Sequence, residues 1–520
     1  MSRRRPGLHP VSRHGPSVFL RRAGWQRACT VVLAAQALAC TSMPSRDPEP
    51  VALEISATWS ISAELGTGAA SDSFAAVAGP VATEPSALTA WWGRFDDPQL
   101  SQLLEAALRA NTSVQAALAV FHQAQALRDV AAASLMPALD VGASAQQGTA
   151  GGHSVGHSFR VAAEAKWALD LFGAQRAALA AGAANAEASA ASLGDVQVQI
   201  SAELALNYIL LRSLQARHLI ASANLANQEE TLQITDWRQQ AGLVTALETE
   251  QARAAVAQSR AQLPVLMVSI GQTQHALSVL SGRPPQALAA WLEPGGSTFI
   301  KERDARTRPL ARGAVPQASA ALALSIPAQT LRQRADVRAA EYRVLAAVSR
   351  LEQAQALRLP SFVIGGSLGL TALSLSGLGQ GSAAFSSLLG SVSLPVFDGG
   401  ALRAQQTAQQ AALAQAQQAY RATVLAALQQ VEDALLALRG DGQRLSSLRL
   451  AADSAWNAAE LARQRYRSGL VDFQTVLETQ RNQYATEDGV ASAYAAVSSD
   501  QVRLFKALGG GWSAELEARN

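Results

Sequence analysis

A short helical corner occurs twice in the sequence and sets the organisation of the whole chain. Residues 463–481, RQRYRSGLVDFQTVLETQR, place helix-forming residues on both sides of a step from Gly469 to Asp472. A glycine can end one helix in a left-handed backbone conformation, and an aspartate can cap the next. Residues 238–253, RQQAGLVTALETEQAR, repeat the pattern around Gly242, about 230 residues earlier and far outside the period of ordinary solenoid repeats. The sequence therefore predicts two similar halves, each folded around one long helical hairpin.

The two hairpins are predicted over residues 174–282 and 401–508. The first begins with a helix that meets no clear breaker before Gln240, a length on the order of 100 Å at 1.5 Å per residue. The second begins with a helix from Ala401 to about Arg467. This helix contains an apolar seam with the four-three spacing of a coiled coil: Val424, Leu428, Val431, Leu435 and Leu438. The chain is 49% hydrophobic but only 5% aromatic, and alanine, the best helix former, carries much of the difference.

Each half also contains a pair of strands of membrane-crossing length. Residues 138–167 alternate apolar and polar side chains on both sides of a glycine-rich loop at 148–156. Residues 362–397 form the second hairpin, with a strand over Phe362 to Leu370, a serine- and glycine-rich loop, and a strand near Leu388 to Val396. Strands of about nine residues cross a bilayer when they are tilted. His153 and His157 lie four residues apart in the first loop, but a loop position without a third ligand argues against a metal site.

The remaining chain divides around these elements. Residues 91–285 form the first repeat and residues 328–512 the second, which begins with a helix predicted from about Ala328 to Arg358. The proline- and glycine-rich segment 286–327 connects them, and residues 513–520 form a tail. Asp97 before Pro98 is predicted to cap the first helix of the folded part.

The N-terminal residues have the pattern of an export signal. A basic leader precedes an apolar run of about a dozen residues, too short for a membrane-spanning helix. The sequence Ala37-Leu38-Ala39-Cys40 resembles the lipobox of bacterial lipoproteins, so we expect a signal peptide over 1–39, lipidation of Cys40 and a linker over 40–90. The alternative is an ordinary signal peptide cleaved nearby. The net charge of +3 gives no broad basic surface for nucleic acid.

Four strands are too few to close a barrel, and an open sheet edge is not tolerated in lipid. The strands must therefore be shared between identical chains, and three copies would supply a wide barrel of twelve strands. The long helices would continue that barrel as a helical tube. The predicted fold is mainly α with a membrane β part, and its predicted role is a conduit.

The sequence resembles the TolC-like outer membrane efflux proteins, in particular the NodT-type lipoprotein branch. The residues that carry the resemblance run from the first aromatic cluster to the last glycines: Trp91, Phe95, Asp97-Pro98, Trp167, Leu169-Asp170, Phe172-Gly173, Gly242-Leu243-Val244, Asp336 to Glu341, Phe397-Asp398, Gly400, Arg465-Tyr466-Arg467, Gly469 and Leu504 to Trp512. The resemblance implies a homotrimer with a β-barrel in the outer membrane and an α-barrel in the periplasm. It also implies a passive exit duct, docked by a periplasmic adaptor and an inner-membrane pump of the resistance-nodulation-division (RND) class.

The resemblance also assigns a gate to the two corners, which in the family form the periplasmic entrance. The matching residues are Glu248, Arg253, Tyr466, Glu478 and Arg481. The family more often has aspartate at the two acidic positions. On the residues alone, both glutamates can equally be solvated helix residues paired with the arginines that follow them.

No nucleophile motif, phosphate-binding loop or clustered metal ligands appear, so we expect no enzyme activity and no cofactor. Two other functions fit parts of the pattern. A channel for type I protein secretion would have the same build, and a periplasmic coiled-coil scaffold would explain the helices but has no use for the strand pairs.

Overall fold

The computed structural model describes residue 59 and residues 90–149, 155–293, 315–318, 331–379 and 384–512. The predicted signal peptide, Cys40, the predicted linker apart from residues 59 and 90, His153 and the tail over 513–520 lie outside these ranges, as does most of the connector.

The folded part begins with a short 3-10 helix, Trp91–Phe95, followed by α1 (Pro98–Ala110) and α2 (Thr112–Ala133). The Asp97 side chain caps α1 by accepting hydrogen bonds from the backbone N–H groups of Gln99 and Leu100, at 2.9 and 3.1 Å. The Trp91 ring is fully buried and stacks on Phe505 with ring centroids 5.2 Å apart. The start of the folded chain is thereby fixed to its last helix.

Four strands follow in two pairs and join one antiparallel sheet of order β1-β2-β3-β4. They are β1 (Ala138–Thr149), β2 (Val155–Leu169), β3 (Ser361–Ala372) and β4 (Ala384–Ser393). The two hairpins of the two repeats thus meet through β2 and β3. Within the described residues, β1 and β4 each pair on one side only, so the sheet keeps two open edges.

Two strand predictions need correction. The fourth strand was expected near Leu388 to Val396, but it spans Ala384–Ser393, because Pro395 lacks a backbone N–H and cannot donate to a ladder. The glycine-rich loop was expected over 148–156, but Gly148 pairs with Gly156 in the β1–β2 ladder. Glycine leaves backbone hydrogen bonding intact, so these residues extend the strands instead of ending them.

The sheet has one apolar and one polar face. The register brings Val141, Ala163 and Leu368 onto one face, where Val141 and Leu368 are exposed. Aromatic residues bound this face: Phe159 lies toward the turn ends of the strands, and Trp167 lies toward the helices, with its indole N–H donating to the Leu135 carbonyl at 3.0 Å. The eight residue steps from Phe159 to Trp167 span about 26 Å of strand. An apolar band of this height between aromatic girdles matches a bilayer-crossing sheet.

The long helices are α3 (Ala174–Gln240), α4 (Ala246–Leu280), α5 (Ala335–Ala356), α6 (Ala401–Arg467) and α7 (Phe473–Ala507). A carboxylate precedes each of the two longest: Asp170 accepts from the N–H groups of Gln175 and Arg176, and Asp398 accepts from those of Gly400 and Leu402. These bonds satisfy amides at the helix start that have no partner within the helix. The α6 helix has the predicted bounds and continues without a break through Gly440 and Gly442.

The helix predicted over Ala328 to Arg358 is shorter in the structure. Arg334 has an extended backbone, so α5 begins at Ala335. The Arg334 guanidinium pairs with Asp336 at 2.7 Å and donates to the Ala507 carbonyl oxygen at 2.8 Å. These contacts hold Arg334 outside the helix and connect the start of α5 to the end of α7.

The helices pack through small residues and the predicted seam. Val424, Val431, Leu435 and Leu438 are buried on α6, where they face neighbouring helices. The mixture of alanine with larger aliphatic residues allows close helix approach while still burying apolar area. Within the described ranges, none of the helices combines the length and apolarity needed to cross a bilayer.

Candidate functional site

The two corners have the same backbone geometry. At the first, the Gly242 N–H donates to the Gln239 carbonyl at 2.9 Å, and the Leu243 N–H donates to the Arg238 carbonyl at 2.8 Å. At the second, Gly469 and Leu470 make the equivalent bonds to Tyr466 and Arg465 with the same lengths. Gly242 and Gly469 have φ values of 72° and 71°. This is the Schellman motif, in which glycine takes the left-handed position without a Cβ penalty.

The helices that leave the corners are capped by different chemistry. Before α4, Thr245 and Glu248 form a capping box, with the Glu248 carboxylate accepting from the Thr245 N–H at 3.0 Å. Before α7, the Asp472 carboxylate accepts from the Thr475 N–H at 2.9 Å. Hydrogen bonds from the side chain and the backbone of Thr475 lower the pKa of Asp472. Asp472 therefore remains charged at the positive end of the α7 dipole.

The capping geometry separates the two acidic residues that the sequence repeat aligns. Glu248 is the third residue of α4, whereas Glu478 is the sixth residue of α7. Thr475 occupies the position in α7 that Glu248 occupies in α4. Glu478 is exposed, and among the residues that the structure describes it accepts only from Gln474 Nε2, at 3.3 Å. Only Glu478 has a carboxylate not used by the cap of its own helix.

The arginines that follow the two glutamates do not pair with them in the described structure. Arg253 donates to Glu250 at 2.6 Å and to Asp236 at 3.3 Å. The Asp236 contact crosses the hairpin and connects α4 to α3. Arg481 is exposed on α7. Glu478 and Arg481 thus lie at the surface of the second corner. Arg253 instead connects the two helices of the first hairpin.

Tyr466 is part of the packing between the two hairpins. Its side chain is only 3% exposed and lies with Phe473, Val476 and Leu477 in an apolar cluster below the corner. Its hydroxyl is 3.3 Å from Thr235 Oγ1 on α3. A tyrosine in this position does not face solvent within one chain, but it holds α6 against α3.

Several polar contacts connect α3 to the second hairpin near the corners, and we call four of them the corner latch. They are Arg238 with Tyr466, Thr235 with Tyr466, Thr231 with Gln480 and Glu230 with Arg467. Arg238 donates to the Tyr466 carbonyl at 2.7 Å, and its guanidinium carbon lies 4.5 Å from the Tyr466 ring centroid. Arg238, Glu230 and Arg467 were not predicted as site residues from the sequence, because the contacts join residues from different repeats. One feature of the sequence could have indicated Arg238: an arginine lies four residues before each corner glycine.

The residues described contain no group of three or more histidine, cysteine, aspartate or glutamate side chains placed to hold a metal ion. His157 lies in β2, opposite Gln147.

The arrangement has two functional parts: a bilayer-height sheet with open edges, and long helical hairpins that end in latched corners. Together they define the class of channel-forming outer membrane proteins in which a β part is continued by an α part. The family model described as Outer membrane efflux protein matches residues 103–283 and 326–510. The chain belongs to this family, and the TolC-like fold predicted from sequence is confirmed.

Relatives match more than four fifths of the chain, and several are named for export or efflux. The pyoverdine export outer membrane protein OpmQ of Pseudomonas putida is 31% identical over 454 residues, which cover 85% of this chain and 92% of OpmQ. Nodulation protein T of Rhizobium leguminosarum is 30% identical over 430 residues, covering 82% and 85%. The toluene efflux pump outer membrane protein TtgF of Pseudomonas putida is 28% identical over 441 residues, covering 83% and 88%. The chain is therefore the outer membrane channel of an efflux system, as predicted.

Solved structures agree with this assignment. The outer membrane channel OprN has a TM-score of 0.77 and 31% identity, covering 90% of this chain and 99% of OprN. VceC of Vibrio cholerae has a TM-score of 0.72 and 25% identity, covering 82% and 99%. At these TM-scores and coverages, both proteins share the fold of this chain.

Proposed function

We propose that three copies of this chain close one twelve-stranded barrel and form a passive exit duct through the outer membrane. The observation that carries the proposal is the four-stranded sheet with an apolar face and two unpaired edges, β1 and β4. An open edge in lipid leaves backbone groups without hydrogen bonds, which costs several kcal/mol for each group. Pairing β4 of one copy with β1 of the next is antiparallel and removes both edges.

The duct receives its cargo from a periplasmic adaptor and an inner-membrane pump. The names of relatives as pump components support this arrangement, and the resemblance to the NodT-type branch supports a pump of the RND class. Relatives named for pyoverdine export and toluene efflux favour small organic molecules as cargo over proteins. In this arrangement the pump supplies the energy, and the duct performs no chemical step.

The corners form the periplasmic entrance of the duct. The proposed gate consists of Glu248, Arg253, Tyr466, Glu478 and Arg481, and the corner latch gives it a physical basis. Three-fold repetition would place three exposed Glu478 carboxylates around the entrance, and a ring of carboxylates attracts cations. Opening would require α6 and α7 to move away from α3, which breaks the latch contacts.

Cys40 anchors the chain to the inner leaflet of the outer membrane. The support is the sequence Ala37-Leu38-Ala39-Cys40 alone. Mass spectrometry of the mature N-terminal peptide tests this part: a diacylated Cys40 is expected, whereas an unmodified N-terminus at another residue would contradict it.

The assembly and the duct are tested together on protein extracted in mild detergent. Native mass spectrometry is expected to give three chains per particle, and planar bilayers are expected to show discrete conductance steps. A particle of one chain that conducts nothing would overturn the proposal. A heated, unfolded sample is the control, and it should neither assemble nor conduct.

A further inference from the structure

The charges of the sheet are confined to two of its four strands and to one face. Asp140 on β1 and Arg160, Glu164 and Lys166 on β2 are the only Asp, Glu, Lys or Arg residues in the four strands. All four have even numbers and share the polar face through the β1–β2 register. Two acids and two bases give this face a net charge of zero. On β3 and β4 the same face carries Ser367, Thr371, Ser387 and Ser391.

Arg160 extends across this face to an aromatic residue two strands away. Its guanidinium carbon lies 4.5 Å from the ring centroid of Phe385 on β4. Two strand spacings separate β2 from β4, about 10 Å, so the side chain must cross β3. The β3 residue that pairs with Phe385 is Gly369, which carries no side chain that could stand between the ring and the guanidinium.

The same guanidinium forms an ion pair with one member of an acidic pair. Asp140 and Glu164 lie directly opposite each other on β1 and β2, an unfavourable arrangement for like charges. Arg160 donates to Glu164 at 3.3 Å, and both side chains are 45% exposed toward the polar face. Arg160 is thus held between an aromatic ring and a carboxylate, with its charge at a fixed height on the sheet.

The Arg160 guanidinium lies in the half of the sheet away from the helices. Arg160 is five residues from the turn end of β2, and Phe385 is one residue from the turn end of β4. Lys166, the other cation, lies near the helical end. If the proposed trimer forms, its pore is lined by this polar face and holds three Arg160 guanidinium groups in its outer half.

Resting on that proposed pore, we propose that Arg160, positioned by Phe385, is a charge-selectivity determinant in the outer half of the lumen. It keeps this part of the pore permeable to organic anions such as carboxylates. Without it, the negative charge of the Asp140–Glu164 pairs would dominate the local electrostatic potential. Removing it changes the lumen charge by −1 per chain and by −3 per trimer. A change of about one kT in local potential changes the local concentration of a monovalent ion about threefold.

The test is the reversal potential of single channels in planar bilayers under a KCl gradient, with benzoate replacing chloride in a second series. Arg160→Gln is expected to raise the cation-to-anion permeability ratio about threefold or more. Lys166→Gln, with the same charge change at the other end of the strand, is the matched control and is expected to shift it less. Phe385→Leu is expected to give an intermediate shift, and Arg160→Lys is expected to retain the wild-type ratio.

Equal shifts for Arg160→Gln and Lys166→Gln, or no shift for either, would overturn the assignment to Arg160. A loss of selectivity in Arg160→Lys equal to that in Arg160→Gln would contradict a role of its charge. The variants can be compared in this way only if the wild-type channel conducts. A wild-type protein that never conducts would instead contradict the proposed pore.

Discussion

Arg238 and Tyr466 are 228 residues apart in sequence, yet Arg238 donates to the Tyr466 carbonyl oxygen at 2.7 Å and covers its ring at 4.5 Å. The contact joins the last turn of α3 to the last turn of α6, immediately before the two corner glycines. It therefore couples the two hairpins at the end where the entrance is proposed. A latch with one member from each repeat can hold the hairpins together or release them without unfolding either one.

Arg238→Ala should loosen the entrance. The substitution removes a charged donor from the Tyr466 carbonyl and a cation from its ring, contacts worth about 1.5–3 kcal/mol and 0.5–1 kcal/mol in general. We expect single-channel conductance to rise at least twofold. Arg260→Ala is the matched control, since Arg260 pairs with Glu229 between α3 and α4 and not between the hairpins. A conductance equal to wild type in Arg238→Ala and also in Tyr466→Ala would eliminate the latch as a gate.

Removal of Glu248 and removal of Glu478 should have different effects on the stability of the fold. Glu248→Ala removes both a charge and half of a capping box, so the midpoint of thermal unfolding should fall by an amount equivalent to about 1 kcal/mol. Glu248→Gln retains an acceptor for the Thr245 N–H and should spare the midpoint while lowering cation selectivity. Glu478→Gln should lower cation selectivity with no effect on the midpoint, because its carboxylate caps nothing. Selectivity that is unchanged in both glutamine variants would contradict the carboxylate ring.

Asp500 should make the second hairpin sensitive to pH. Its side chain is 1% exposed, with Oδ1 accepting from Arg503 at 2.6 Å and Oδ2 without a hydrogen-bond partner in the described structure. Burial raises the pKa of Asp500, and the nearby Asp441 carboxylate raises it further. The folded state therefore holds a proton more tightly than the unfolded state, and its stability falls as pH rises from the ordinary aspartate pKa through the raised one.

Asp500→Asn removes the destabilisation that a buried, charged carboxylate causes at this position. We expect the variant to unfold at a higher temperature than wild type at pH 7.5, with a difference equivalent to about 1 kcal/mol, and to lose that advantage as the pH falls toward 4. Asp433→Asn, an exposed position on α6, is the control and should behave like wild type at both pH values. An Asp500→Asn variant that is destabilised equally at both pH values would show that the Arg503 contact outweighs the burial cost.

The elements that could be predicted are those with local causes. Glycine at the left-handed position and aspartate or threonine at the cap specify both corners within about six residues, and the heptad seam specifies one face of α6. The alternation of apolar and polar residues predicted the strands, but serine and glycine residues near their ends made the strand boundaries difficult to predict. Ser387 was assigned to a loop, although it belongs to β4 and its hydroxyl lies 2.7 Å from that of Ser367.

The features that could not be predicted depend on contacts between the repeats. The sequence placed Tyr466 near the second corner, but its burial depends on α3, which lies in the other half of the chain. The pairing of Thr231 with Gln480, 249 residues away, leaves no periodic trace in either helix. The pairing of β2 with β3 also has no local signal, because nothing in an alternating pattern specifies its neighbour.

The most direct test of sharing the sheet between copies is disulfide cross-linking of its two open edges. Val141→Cys on β1 is combined in turn with Leu388→Cys, Gly390→Cys and Val392→Cys on β4, and oxidised samples are sized on denaturing gels. The Ala163→Cys/Leu368→Cys pair, partners within one chain, is the control and should stay at the size of one chain. We predict that at least one edge pair gives linked dimers and trimers. Edge pairs that link only within single chains, or never link, would contradict a barrel shared by three copies.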